Sequence, residues 1–318
     1  MQRRKWPAIS ANELKVRYLW QPGDFNLQDN FFSRAIEAAG LKVKVIEDSK
    51  AFADLELVSV FPPRIRKLGG MIRSIKQNYP YGVLDYELKA STFKSIERGN
   101  CSRRIWYSGE NIRPPLLEDF DYFFSFDQDD FGGRNYYLPL YFQEIGLVNF
   151  KNSVRVSTFG QKTELTNPRE KSTRDKFACT FFSNPQSIRL AALKSLQSLG
   201  EVDVFGRAVK KPVRYKEEVA KNYKYVVCFE NDLYPGYVTE KLVDAYKCGA
   251  VPIYWGDLGS DTNLNRESFI NLKDFSSLHD LIEYLRNLSE SEYFEIQKRP
   301  LLKKIPDISE IISILTNN

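Results

Sequence analysis

The stretch CFENDLYPGYVTEKLVDAYKCGAVPIYWG, Cys228 to Gly256, constrains the fold of this chain more than any other. The run YKYVVCFE before and across its start is short and apolar, as a buried parallel strand requires. NDLYPGY is turn-rich, with Pro235 and Gly236 breaking the chain. TEKLVDAYKCG fits a helix, with Thr239 as N-cap, an inner stripe of Leu242, Ala245 and Tyr246, and Gly249 at its stop. AVPIYW returns as a strand. Strand, loop, helix and strand in this order form a βαβ unit, whose right-handed crossover demands a parallel sheet.

Ligands of such sheets gather beyond the carboxyl ends of the strands. Glu230 and Asn231 fall at the strand's exit, and Glu240 and Lys241 in the first helical turn, so all four share one edge. The unpaired N–H groups of a helix start, its partial positive charge and the Lys241 ammonium suit a diphosphate. Glu240 repels phosphate but accepts hydrogen bonds from sugar hydroxyls, so the set points to a nucleotide sugar. A plain surface helix start, with Glu240 and Lys241 solvated, fits the same spacing.

The flanking pattern extends the unit into two domains. Strand-like KVRYLW, LKVKVIED, ELVSVF, RRIWYSGE and YFFSFD alternate with the helical patterns DNFFSRAIEAAG and RKLGGMIRSIKQNY. A polar stretch without periodicity, residues 159–176, reads as an interdomain loop. KFACTFFSN, SIRLAALKSLQSLG and VDVFG then resume the strand–helix–strand order. The expected class is α/β, with two Rossmann-like domains and a site in the cleft between them. At 318 residues and 42% hydrophobic composition the chain can fill two cores.

Composition excludes several chemistries. The single histidine, His279, sits in a helical pattern and reads as a surface or capping residue, which leaves carboxylates as the available bases. The four cysteines show no metal-type pairing; Cys228 and Cys248 lie in apolar runs and read as buried thiols, which fits a reducing compartment. The net charge of +5 is mild, and no nucleic-acid motif accompanies it. No apolar run suits a signal peptide or a membrane span, so a cytoplasmic location is expected. Membrane association is left to the basic stretch around Arg64 to Lys76, as a peripheral contact, although a solvated helix face is the plainer reading.

At Phe229 to Gly256 the chain resembles the α-1,3-fucosyltransferases of glycosyltransferase family 10. YSGENIRPPLLEDFDYFFSFDQDDFGGRNYYLPLY, residues 107–141, resembles a second block of that family, and FFSNPQSIRLAALKSL a third. The resemblance implies a GT-B fold of two facing Rossmann-like domains, residues 1–158 for the acceptor and 159–318 for GDP-fucose. The C-terminal helix DISEIISILTNN is expected to pack back on the first domain. It implies inverting transfer of fucose from GDP-fucose to a hydroxyl of an N-acetylglucosamine-containing glycan, N-acetyllactosamine-type, in α-1,3 linkage, with no metal or other cofactor required. Such chemistry would serve the synthesis of a cell-surface oligosaccharide or lipopolysaccharide. By resemblance Glu110 is the general base, Arg189 and Lys241 meet the donor phosphates, and Asn231, Tyr237 and Glu240 hold the ribose or the fucose, beside Thr239. Read from its own helix, Arg189 is an exposed arginine. Phe182 to Asn184 and Phe205 to Arg207 are expected to line the same cleft. The D-x-D of Asp127 to Asp130 reads as a solvated or lining loop. A GT-B transferase of another nucleotide sugar, or a non-catalytic nucleotide-sugar-binding protein, remain the alternatives.

Overall fold

The computed structural model describes residues 12–23, 25–61, 98–115, 117–145, 147–150, 153–156, 165–182 and 185–316. The basic stretch around Arg64 to Lys76, and Ser183 and Asn184, lie outside the described residues. The chain parts into two compact units. The first comprises Met1–Leu138, Val148–Arg155 and Asp307–Asn318, and the second Pro139–Leu147 and Val156–Pro306.

In the first unit the elements run β1 (Glu13–Leu19), α1 (Phe31–Ala38), β2 (Lys42–Val45), β3 (Ala53–Val58), β4 (Cys101–Tyr107), β5 (Tyr122–Ser125) and β6 (Asn135–Tyr137). The strands form one sheet in the order β2-β1-β3-β4-β5-β6, and every pair is parallel. Helix α1 starts at Asn30, whose side chain accepts from the Ser33 amide in a capping box, and stops before Gly40 at φ +89°. That glycine is the last residue of the helical pattern DNFFSRAIEAAG. The sequence gives no signal for β6, a three-residue strand.

A charge cluster lies within this sheet. Glu56 of β3 is fully buried between Arg17 of β1, at 3.0 Å, and Arg104 of β4, at 2.7 Å. A Cβ at Gly99 would lie 2.5 Å from both Arg17 and Glu56, so only glycine leaves room for the cluster.

The second unit begins with α2 (Leu140–Ile145). The chain then forms the two-stranded ribbon β7 (Leu147–Phe150) and β8 (Ser153–Val156), most of which belongs to the first unit. There follow β9 (Lys176–Phe181), α3 (Ser187–Leu196), β10 (Val202–Phe205), α4 (Lys216–Ala220), β11 (Tyr223–Phe229), α5 (Glu240–Lys247), β12 (Val251–Trp255) and β13 (Ile270–Asn271). Helices α6 (Leu278–Asn287) and α7 (Glu290–Lys298) complete the unit, and α8 (Ser309–Thr316) closes the described chain within the first unit. There α8 packs on α1, and Arg103 of β4 donates to its Ile314 carbonyl and, at 3.1 Å, to its Leu315 carbonyl. Those carbonyls end a helix and lack intrahelical partners, so the guanidinium caps them.

The second sheet, β10-β9-β11-β12-β13, is also wholly parallel. Its order repeats that of the first five strands of the other sheet. Chain direction along the sheet reverses between β9 and β11, so their carboxyl ends border the crevice where ligands of doubly wound sheets bind. Leu193 and Leu196 of α3, Leu281 and Leu285 of α6 and Tyr293 of α7 join Val227, Phe229 and Ile253 in one buried core. Cys228 and Cys248 are buried free thiols, as the apolar runs imply, and His279 is exposed. Among the described residues no helix is long and apolar enough to cross a membrane.

The polar segment read as an interdomain loop behaves differently where it is described. Arg169 is half-buried within the second unit, donating to the carbonyls of Gln297 at 2.9 Å, Tyr246 at 2.7 Å and Ala250 at 3.2 Å. Its guanidinium also stacks 3.8 Å from the Tyr246 ring centroid. Polarity suggested solvation, but this arginine satisfies carbonyls at the end of α5 and the start of β12.

Glu56→Gln should lower stability by about 3–5 kcal/mol, because it leaves two buried guanidinium groups without a counter-charge. Urea unfolding beside an exposed control, Glu283→Gln, measures the difference; the control should move by less than about 0.5 kcal/mol.

Candidate functional site

Two chain segments meet where β9 and β11 end. Helix α3 follows β9 and carries Arg189 in its first turn. The loop after β11 carries Glu230 and Asn231. Arg189 is 6% exposed and donates to the Phe229 carbonyl at 2.7 Å, the Glu230 carbonyl at 3.1 Å and Asn231 Oδ1 at 2.9 Å. The exposed arginine suggested by its helix pattern is therefore a buried one. A β-strand that ends leaves carbonyls unpaired, and a guanidinium offers enough donors to collect them. Gln186 donates to the Asn231 carbonyl from the same helix start.

Glu230 is the hub of the cluster. Its carboxylate is fully buried and accepts the Thr239 amide at 2.8 Å, the Thr239 hydroxyl at 2.7 Å, the Lys241 ammonium at 3.1 Å and the Tyr254 hydroxyl at 3.2 Å. Lys241 also donates to Thr239 Oγ1 at 2.8 Å and lies 3.7 Å from the Glu240 carboxylate. Thr239 Oγ1 accepts from the Lys241 amide, the N-cap arrangement read from the sequence. Between strand and helix the loop turns at Gly236, φ +83°, whose amide donates to the Asp257 carbonyl at 2.8 Å. Tyr237, one residue on, is buried.

The electrostatics follow from this packing. Burial works against the charge of Lys241, but the Glu230 and Glu240 carboxylates outweigh it and hold the ammonium pKa above the ordinary lysine value. Burial also draws the Arg189 pKa down, against the pull of Glu230; an arginine so placed stays charged at neutral pH. A pocket open to solvent lies against this edge. Arg189, Lys216, Lys241 and Asp244 supply its charged lining, and Phe181 and Phe182 part of its apolar wall. Two cations beside a helix N-terminus, next to apolar surface, can take an anion joined to a flat apolar group.

Of the sequence-predicted residues, Arg189, Asn231, Thr239, Glu240 and Lys241 come together in the second unit, with Tyr237 on the connecting loop. Glu110 belongs to the first unit, just beyond β4. There Ser108 Oγ accepts the Glu110 amide at 3.1 Å and donates to its carbonyl at 2.9 Å, so a serine turn sets the backbone. In the D-x-D segment Asp127 is buried and pairs with Arg113 at 2.7 Å. Asp129 and Asp130 accept the amides of Phe131 and Gly132, both at 2.9 Å. These aspartates hold a loop together, and Asp127 is buried and ion-paired rather than solvated.

The sequence placed Glu230 at this edge without a role, and Tyr254 and Gln186 went unread. An acid closing an apolar strand, one helical entry away from a Thr and a Lys, is the signal that could have exposed the hub.

Residues 171–298 match the model of glycosyltransferase family 10 (fucosyltransferase), C-terminal. The alpha-(1,3)-fucosyltransferase FucT of Helicobacter pylori is 32% identical over 215 residues, 59% of this chain and 44% of that protein. Human 4-galactosyl-N-acetylglucosaminide 3-alpha-L-fucosyltransferase FUT6 is 39% identical over 110 residues, 33% of this chain and 31% of its own. The matched stretch thus spans less than half the length of these curated relatives. A crystal structure of an α1,3-fucosyltransferase with GDP-fucose superposes on 100% of this chain and 91% of its own, with TM-score 0.64 and 21% identity. Another with GDP covers 98% and 92%, with TM-score 0.65 at 21% identity. The fold is that of these structures, the α/β GT-B class with parallel sheets expected from the sequence.

Glu230→Gln should lower the thermal midpoint clearly, since breaking a buried pair costs about 3–5 kcal/mol. The sign with pH is set by Lys241. Its raised pKa adds stability that is fully present below the unfolded lysine value, near 10.4, and is lost as pH rises through the folded value. Thermal melts from pH 8 to 11 should therefore fall more steeply for the wild type than for Lys241→Met.

Proposed function

We propose that this chain, whose residues 171–298 match the model of glycosyltransferase family 10 (fucosyltransferase), C-terminal, is an inverting fucosyltransferase using GDP-fucose. The observation that carries the reading is the pair of cations, Arg189 and Lys241, held at the β9–β11 edge inside the matched region. The second unit is read as the donor domain and the first as the acceptor domain.

The proposed reaction is one displacement. An acceptor hydroxyl attacks the anomeric carbon of fucose as the bond to GDP breaks on the opposite face. Glu110 takes the hydroxyl proton as general base. Negative charge grows on the departing diphosphate, and Arg189, Lys241 and the α5 N-terminus stabilise it. These cations serve the role that a divalent ion fills elsewhere, so chelation should leave the rate unchanged. Asn231, Tyr237 and Glu240 are read as holding the ribose or fucose hydroxyls. The acceptor is read as an N-acetylglucosamine-containing glycan of N-acetyllactosamine type, fucosylated in α-1,3 linkage; the names of the H. pylori and human relatives support this.

Transfer from GDP-fucose, GDP-mannose and UDP-sugars to N-acetyllactosamine tests the proposal. GDP-fucose should be strongly preferred, and equal use of the others would contradict the donor assignment. Glu110→Gln should abolish most transfer while GDP binding stays as in the wild type. Arg189→Ala should weaken GDP binding by about 1.5–3 kcal/mol, seen by calorimetry.

A further inference from the structure

A third cation faces the cavity, and neither the family resemblance nor the proposed mechanism gives it a role. Lys216 opens α4, which packs against α5, and its ammonium lies 2.6 Å from Asp244 Oδ2. Asp244 stands on α5 three residues beyond Lys241, hence on the same helix face. Both members of the pair line the cavity that Arg189 and Lys241 also line. We propose that Lys216 is a further donor-binding residue, a third cation for the diphosphate, which exchanges Asp244 for a phosphate oxygen when the nucleotide enters. The proposal rests on the donor reading above.

The three cations differ in how firmly they are held. Arg189 is fixed by carbonyls and Asn231, and Lys241 by a fully buried carboxylate and the Thr239 hydroxyl. Lys216 has a side chain 42% exposed and a partner 29% exposed. An ion pair that open to solvent adds little to stability, so a phosphate can compete for its ammonium. The lysine stem is long and flexible enough to turn from one acceptor to another. Glu240 and Lys241, in the first turn of α5, lie within electrostatic reach of Lys216. Burial works against its charge, yet Asp244 and Glu240 hold its pKa above the ordinary lysine value, so the ammonium is charged at neutral pH. A nucleoside diphosphate brings several negative charges to this edge. Arg189 and Lys241 face them already engaged with protein acceptors, and Lys216 adds the charge that is cheapest to redirect.

Calorimetry with GDP and with guanosine, which lacks phosphate, separates the alternatives. Lys216→Gln should weaken GDP binding about tenfold or more, the scale of a lost charged hydrogen bond, and leave guanosine binding unchanged. Lys216→Arg should keep most of the GDP affinity, and Asp244→Asn should bind GDP as tightly as the wild type or tighter. Unchanged GDP binding by Lys216→Gln would overturn the assignment, as would equal losses for GDP and guanosine. Asp244→Asn weakening GDP as much as Lys216→Gln would make the pair a structural brace and overturn it too. Wild-type protein that fails to bind GDP would remove the donor reading itself, a result distinct from each of these.

Discussion

A single buried carboxylate organises the second unit's functional edge. Glu230 leaves β11 fully buried and gathers the first amide and hydroxyl before α5, the Lys241 ammonium and the Tyr254 hydroxyl of β12. A carboxylate in such a place is costly unless its acceptor sites are filled with charged and neutral donors. Filling them ties strand, helix start and neighbouring strand to one point. The position of Lys241, and of the N–H groups at the α5 start, follows from that point. The loop between can then carry turn residues freely, since its two ends are held.

Arg189 completes the edge from the other side of the switch point. It collects two carbonyls left over as β11 ends and the side chain of Asn231. Each cation at the edge is therefore already engaged before any ligand arrives. Engagement orients the charges, so less rearrangement is needed when an anion binds. The same logic holds in the first sheet, where Arg17 and Arg104 share Glu56, although that cluster is closed off from solvent. Buried charge is an organising device in both units, and in the second it borders a cavity.

Much of this was legible in the sequence. The βαβ unit from Tyr223 to Trp255, its Thr239 cap and its glycine stop at Gly249 appear where the pattern put them. Apolar runs and capping residues carry that information locally. Partners distant in sequence were not legible. Arg189 looked solvated because its helix neighbours do not reveal the carbonyls forty residues away. Arg169 looked like linker for the same reason, its acceptors lying on α5, α7 and the start of β12. Glu230 stood in the right place, but its role depends on Tyr254, which β12 brings alongside through sheet pairing. Short elements such as β6, β13 and α4 have too few residues to show a period. Spacing alone left open the choice between a solvated helix start and a donor site, and the proposed function rests on the second.

The central claim is that a nucleoside diphosphate binds at the carboxyl edge of β9 and β11. Hydrogen exchange measured peptide by peptide, with and without GDP, tests it most directly. The account predicts slowed exchange in the segments spanning 185–190 and 230–242, with the first unit's sheet unaffected. Unchanged exchange in both segments under saturating GDP, with protection elsewhere, would contradict it.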